Sequence, residues 1–383
     1  MRPAPQPEVA FCLFKYFPYG GLQRNFIRTA LRLQTLGYRV RVYTLSWEGR
    51  VPDRMDVVIV PAKGVSNHRR YDRFAAKVMQ LLHEQQVVCV VGFNKMAGLD
   101  VYYAADPCFE EKALQQRDNW YRRMPRYRLL AAAERAVFER GGGTRIMLIA
   151  PGQQQVFERH YGTEPERFTL LPPGIARDRM APVDAAEVRA GLRTEFGIAD
   201  TTWLLLMVGS GFITKGLDRA LIALAQLPPQ LRERCQFIAV GQDNPRSHLR
   251  MAQRLGVGDR FRILPGRDDI PRFLQGADVL LHPAYAETAG NVLLEAVVAG
   301  LPVIVTDVCG NAPYVERARA GRVIPSPFQQ LVFNEMLGEM LRDDGARADW
   351  RRNGIEFGRT ADIYSLPEHA ARYISHVAEE GRR

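Results

Sequence analysis

The sequence predicts an α/β protein built from two doubly wound, parallel-sheet domains, and three observations carry that expectation. The chain has 383 residues, more than a single core usually organises. Two stretches, one opening at Val9 and one at Trp203, repeat the order apolar run, Gly-rich turn, amphipathic helix. Between them lies Leu171-Pro-Pro-Gly-Ile175, a stiff segment suited to a domain boundary.

In the first half, Val9 to Leu13 reads as a buried strand and Tyr16-Phe-Pro-Tyr-Gly-Gly21 as a turn. Leu22, Phe26, Ala30, Leu33 and Leu36 keep helical spacing, and Gly37 is placed to end that helix. Arg39 to Leu45 then completes a βαβ unit, with further strands expected at Val57–Val60, Val87–Val91 and Ile146–Ile149. After the break, Trp203 to Val208 is a strand, Gly209 to Gly216 a Gly-rich turn and Leu217 to Leu227 a helix. Phe237–Val240, Phe261–Leu264, Val279–Leu281 and Val303–Val305 supply the remaining strands. Two such domains facing across a cleft are the economical arrangement.

Composition narrows the class. Hydrophobic residues at 46% and charged residues at 25% are those of an ordinary globular protein. No apolar run reaches the roughly 20 residues that span a bilayer, and the Pro-rich start, Met1 to Glu8, lacks a signal-peptide core. A cytoplasmic location is expected. Cys12, Cys89, Cys108, Cys235 and Cys309 are scattered singly, which indicates neither a disulfide framework nor a zinc site. A net charge of +10 predicts an anionic partner.

The chemistry concentrates in His282-Pro-Ala-Tyr-Ala-Glu-Thr-Ala-Gly-Asn-Val-Leu-Leu-Glu295. Glu287 falls in the loop after an apolar strand and Glu295 one turn into the next helix, the region where open α/β sheets bind ligands. The loop carboxylate suits sugar hydroxyls and the helical one a ribose. The amides of Ala289, Gly290, Asn291 and Val292 present the positive end of a helix dipole to an anion. In the Gly209 to Gly216 turn, Lys215 can meet a diphosphate as a point charge, and Arg179 offers a second cation. His282 ends its strand within reach of the same place. A bare glutamate pair at this spacing is common, and its context decides. A dinucleotide reading is weaker, since GxGxxG is absent from the first turn and Glu48 lies beyond the strand end.

Glu-x7-Glu in this setting resembles the signature of retaining glycosyltransferases of family 4, which have the GT-B fold. Phe11 to Arg24, Val42 to Glu48, Gly92 to Asp106 and Leu171 to Ile175 narrow the likeness to the lipopolysaccharide core glucosyltransferases within it, over about Val9 to Tyr373. The resemblance implies an acceptor domain over residues 1–172, with the terminal segment 363–383 crossing back onto it, and a nucleotide-sugar domain over 173–362. It implies transfer of glucose from UDP-glucose to a heptose of a lipid-linked lipopolysaccharide core, without a metal or other cofactor. By it, Asp106 matches an acceptor-side aspartate and Gly21 a donor-contacting glycine. Asn25 stands where relatives often have Asp, and Thr214-Lys215 where many have Arg-Lys. Catalytic work is thereby expected of Glu287, Lys215 and Asp106, and donor contacts of Gly21, Asn25, Arg179, Gly209, His282 and Glu295.

Arg117, Trp120, Tyr121, Arg122, Arg123, Arg126, Tyr127 and Arg128 interleave cations with aromatics, as at a membrane interface. The expectation is peripheral attachment to anionic lipid on the cytoplasmic face of the inner membrane, the alternative being a solvated arginine-rich face. Two other readings stay open: a UDP-sugar 2-epimerase of the same architecture, and a basic nucleic-acid-binding protein. No nucleic-acid module is recognisable, so a nucleic-acid partner is not expected.

Overall fold

The computed structural model describes residues 6–18 and 20–381. Met1 to Pro5 of the Pro-rich start, Tyr19 of the first turn, and Arg382 and Arg383 of the expected 363–383 segment lie outside the described residues. The chain divides into two units, Met1–Gly174 with Ser365–Arg383, and Ile175–Tyr364. No helix among the described residues is long and apolar enough to cross a membrane.

The first unit holds strands β1 (Glu8–Tyr16), β2 (Arg39–Trp47), β3 (Met55–Ile59), β4 (Val87–Gly92), β5 (Val101–Ala104), β6 (Arg145–Leu148) and β7 (Phe168–Leu170). They form one sheet in the order β3-β2-β1-β4-β5-β6-β7, and every pairing is parallel. Alternation along β1 explains why both faces are covered. Val9, Phe11 and Leu13 pack with Phe26, Ala30 and Leu33 of the helix Gly21–Thr35, while Ala10 and Cys12 pack with Phe74, Val78 and Phe138 on the other side. The terminal helix Leu366–Glu380 adds Ala370, Ala371, Ile374 and Ala378 to the first face. Tyr38 Oη and Ser375 Oγ lie 3.0 Å apart, and Arg145 meets Glu380 at 2.5 Å.

The second unit holds β8 (Trp203–Val208), β9 (Cys235–Val240), β10 (Phe261–Leu264), β11 (Val279–His282), β12 (Val303–Thr306) and β13 (Gly321–Ile324). Their order is β10-β9-β8-β11-β12-β13, again parallel throughout. Leu204 and Leu206 face Leu293, Ala296 and Val297, while Leu205 and Met207 face Leu217, Leu221 and Leu337. All five cysteines are free and buried. The strand order reverses between β1 and β4 in one unit and between β8 and β11 in the other. Loops leaving those strands flank the crevice where open α/β sheets accept ligands.

β5, β7 and β13 are strands that the sequence pattern did not single out. Each has three or four residues.

Candidate active site

The loops after β8 and β11 bring Lys215 and Glu287 together across the switch point of the second unit. Lys215 Nζ pairs with Glu287 Oε2, and His282 Nε2 stands 3.5 Å from the same oxygen. Burial alone would raise the Glu287 carboxyl; the His282 ring and the Lys215 ammonium reverse that and hold it at about 2. A separation of 3.5 Å is at the outer limit of hydrogen bonding, so the ammonium is the firmer partner. His282 is 0% exposed, and burial, helped by the Lys215 charge, lowers its pKa and keeps the ring neutral. It therefore lies beneath Glu287, whereas its position at a strand end had suggested a group reaching outward.

Glycines permit this approach. Gly209 has φ 131°, and a Cβ there would lie 2.6 Å from Lys215 Cε. Gly216 has φ 73°, and a Cβ there would overlap the Pro283 carbonyl oxygen. The backbone locks the two loops to each other, with Tyr285 N donating to Thr214 O at 2.8 Å, and ties the Glu287 loop to the one after β12, with Asn311 N donating to Ala289 O at 2.8 Å.

Gly290, at φ 78°, caps the helix Asn291–Val298 without a side-chain hydrogen bond. Ala289 and Gly290 are buried, while Asn291 and Val292 are half-buried at the helix start. Glu295 follows on that helix at 6% exposure, and Arg179 Nε approaches its Oε1 at 3.9 Å. Arg179 is thus half-buried beside a carboxylate, with its side chain 10% exposed.

The other predicted residues belong to the first unit. Gly21 opens the helix Gly21–Thr35 on the exposed side, with nothing within 4 Å of a Cβ built on it. Asn25 is 4% exposed and donates its amide to Tyr103 Oη at 2.9 Å. Its polarity is engaged inside the unit. Asp106 is exposed in the loop after β5. That loop is anchored by Lys95, which donates to Pro107 O at 2.8 Å and to the fully buried Glu134 at 2.5 Å. Glu134 also accepts from Phe109 N at 2.8 Å, Glu110 N at 2.9 Å and Tyr161 Oη at 2.6 Å. Burial would raise its pKa, but Lys95 and these donors outweigh that and keep it ionised.

The basic aromatic segment forms a short 3-10 turn, Asn119–Arg123, and the start of the helix Pro125–Phe138. Arg117, Arg122, Arg123, Arg126 and Arg128 are exposed, and Trp120 is 67% exposed. Glu110 holds the segment by accepting from Arg122 at 3.1 Å and from Tyr127 Oη at 2.5 Å.

Sequence reasoning missed Arg219. Its guanidinium lies 3.5 Å from the Tyr285 ring centroid and 3.7 Å from that of Phe328, and donates to Pro283 O and Ala284 O at 3.1 Å each. It fastens the Glu287 loop to the helix Leu217–Gln226 that follows Lys215. The available signal was a cation in the first turn of a helix, where the dipole disfavours it.

Two all-parallel α/β units, one of which sets an acidic loop and a lysine across its switch point, define a GT-B glycosyltransferase. The family signature described as "Glycosyl transferases group 1" matches residues 189–357. The chain belongs to the lipopolysaccharide glucosyltransferase family: it is 48% identical over 367 residues to lipopolysaccharide glucosyltransferase WaaG of Escherichia coli (strain K12), covering 96% of this chain and 98% of the relative. The crystal structure of WaaG, a glycosyltransferase involved in lipopolysaccharide biosynthesis, superposes with a TM-score of 0.93 at 48% identity over 96% of this chain and 99% of that one. Anabaena Alr3699/HepE in complex with UDP-glucose shares the fold, with a TM-score of 0.74 at 18% identity over 96% of this chain and 99% of that one.

Proposed function

We propose that this glycosyltransferase moves glucose, with retention, from UDP-glucose to a heptose of the lipopolysaccharide core. The observation that carries the reading is the Lys215–Glu287 pair at the switch point, next to the uncapped start of the helix Asn291–Val298. Glu287 would accept hydroxyls of the transferred sugar and Glu295 those of the ribose. Lys215 and the amides of Gly290 to Val292 would take the charge that grows on the departing diphosphate. Fixed cations and amides stabilise such charge without reorganising, so turnover is expected to survive EDTA. In this reading Asp106 and Gly21 serve the acceptor and donor from the first unit. Retention follows from attack on the face the phosphate leaves, the phosphate oxygen taking the acceptor proton.

The exposed Arg117 to Arg128 segment supports a peripheral position on an anionic cytoplasmic leaflet, where a lipid-linked acceptor is found. The test is UDP release across a panel of UDP-sugars with heptose-terminated core as acceptor. UDP-glucose is expected to lead, and release to require the acceptor. Comparable release from every donor, or release restored after EDTA only by magnesium or manganese, would overturn the proposal.

A further inference from the structure

A second basic surface lies in the first unit, on the segment that follows β3. Arg69, Arg73 and Lys77 recur every four residues on the helix Asn67–His83 and so share one face, with Arg70 beside them and Lys63 in the preceding loop. Asp72 is the single acid between Pro61 and Lys77. Lys63, Arg69, Arg73 and Lys77 are exposed, and none of these five cations meets a carboxylate among the described residues. Arg73 and Lys77 instead donate to Lys63 O at 2.8 Å and Pro61 O at 3.5 Å, which draws the loop over the helix and adds Lys63 to the stripe.

The arrangement is unfavourable in isolation. Like charges at i, i+4 repel, and a helix with basic residues and no acid in its first turn opposes its own dipole. Elsewhere in the unit, Arg122 pairs with Glu110 and Arg159 with Glu111. No carboxylate among the described residues balances this stripe, which leaves it open to an anion from outside the chain.

Its place in the fold selects the anion. All strands of the sheet are parallel, so this segment leaves the same carboxyl edge as the Asp106 loop after β5. β3 and β5 stand four places apart, roughly 19 Å at about 4.8 Å per strand. The helix is fixed there, since Tyr71 stacks on Phe14 with centroids 4.1 Å apart and Phe14 N donates to Asn94 Oδ1 at 2.8 Å. The loop exposes Val65 but has no counterpart of Trp120, so it lacks the aromatic anchor of a bilayer contact. We infer that the Lys63–Lys77 stripe binds the anionic saccharide of the acceptor, the carboxylate- or phosphate-bearing sugars that adjoin the residue being glycosylated. The inference rests on the proposed acceptor class.

The test uses the full chain and two acceptors, a deacylated inner-core oligosaccharide with its carboxylates and phosphates, and a neutral heptose glycoside. In the triple variant Arg69→Gln, Arg73→Gln, Lys77→Gln, KM for the anionic acceptor is expected to rise about tenfold at low salt, with the gap closing as salt is added. KM for the neutral acceptor and for the donor should stay at the parent values. Arg69→Lys with Arg73→Lys should restore most of the affinity. Equilibrium dialysis of the anionic oligosaccharide reads the same loss without turnover, so a parent inactive on heptose would refute the proposed reaction while leaving the stripe measurable. An anionic-acceptor affinity within about twofold of the parent in the glutamine variant overturns the inference. Loss of anionic-vesicle binding with that affinity intact also overturns it, and assigns the stripe to the membrane.

Discussion

Glu287 is a carboxylate enclosed by an ammonium and a neutral imidazole, and its behaviour follows from that enclosure. Glu287→Ala and Lys215→Ala are each expected to lower kcat about a hundredfold or more, the usual effect of removing one charged contact at the reacting end, roughly 2 to 4 kcal/mol. Glu295→Ala should chiefly raise the donor KM. Steady-state kinetics at saturating donor check both, and near-parent kcat in either of the first two variants would refute the assignment. Glu287 is lowered from 4.5 to about 2, so its stabilising contribution is present above about pH 4.5 and disappears as pH falls toward 2. Lys215→Gln removes the opposing charge and raises the carboxyl, so the variant loses most of that contribution. Unfolding midpoints between pH 2 and 6 should separate parent and variant on the neutral side, where the parent keeps the contribution, and converge as pH falls toward 2, apart from a constant offset. Superimposable pH dependences would mean the ammonium does not hold the carboxylate.

At the scale of elements, the site is two loops tied to each other, and Arg219 is the tie. Arg219→Ala should lose two ring contacts and two carbonyl bonds, lowering stability by about 2 kcal/mol. Its kcat, measured well below the melting temperature, should fall together with that of Arg219→Lys, which keeps the charge but not the planar fork. Full activity in a folded Arg219→Ala enzyme would show that the Glu287 loop is held by its backbone bonds alone. Legibility in the sequence differs between these features for physical reasons. The loop after β11 could be read because strand, turn and helix differ in period and Gly290 marks the junction. Lys215 was readable for the same reason. Arg219, Phe328 and Tyr285 meet only through tertiary packing, which spacing cannot report. The burial of His282, the internal bond from Asn25 to Tyr103 and the approach of Arg179 to Glu295 were hidden likewise, since sequence position indicates which edge a residue leaves but not what its side chain meets.

For the whole molecule, the two-sheet architecture was legible because βαβ units repeat on either side of a Pro-Pro-Gly break, while the short strands β5, β7 and β13 were not. The cationic surface was visible as net charge and the Arg117–Arg128 segment as a run of cations and aromatics, whereas the Lys63–Lys77 stripe required the fold. Replacing Arg122, Arg123 and Arg126 by glutamine should weaken binding to anionic vesicles by roughly two decades at low salt, at about 1 kcal/mol per arginine. The difference should shrink as salt rises. Sedimentation with phosphatidylglycerol vesicles measures it, and parent-level binding in the triple variant would make this segment a solvated face. The central claim, glucose transfer with retention at the Lys215–Glu287 site, is tested most directly by NMR of the product formed from UDP-α-glucose and heptose-terminated core. An α-linked glucosyl heptose is the predicted result. A β-linked product, or UDP formed with no new glycosidic bond, would contradict it.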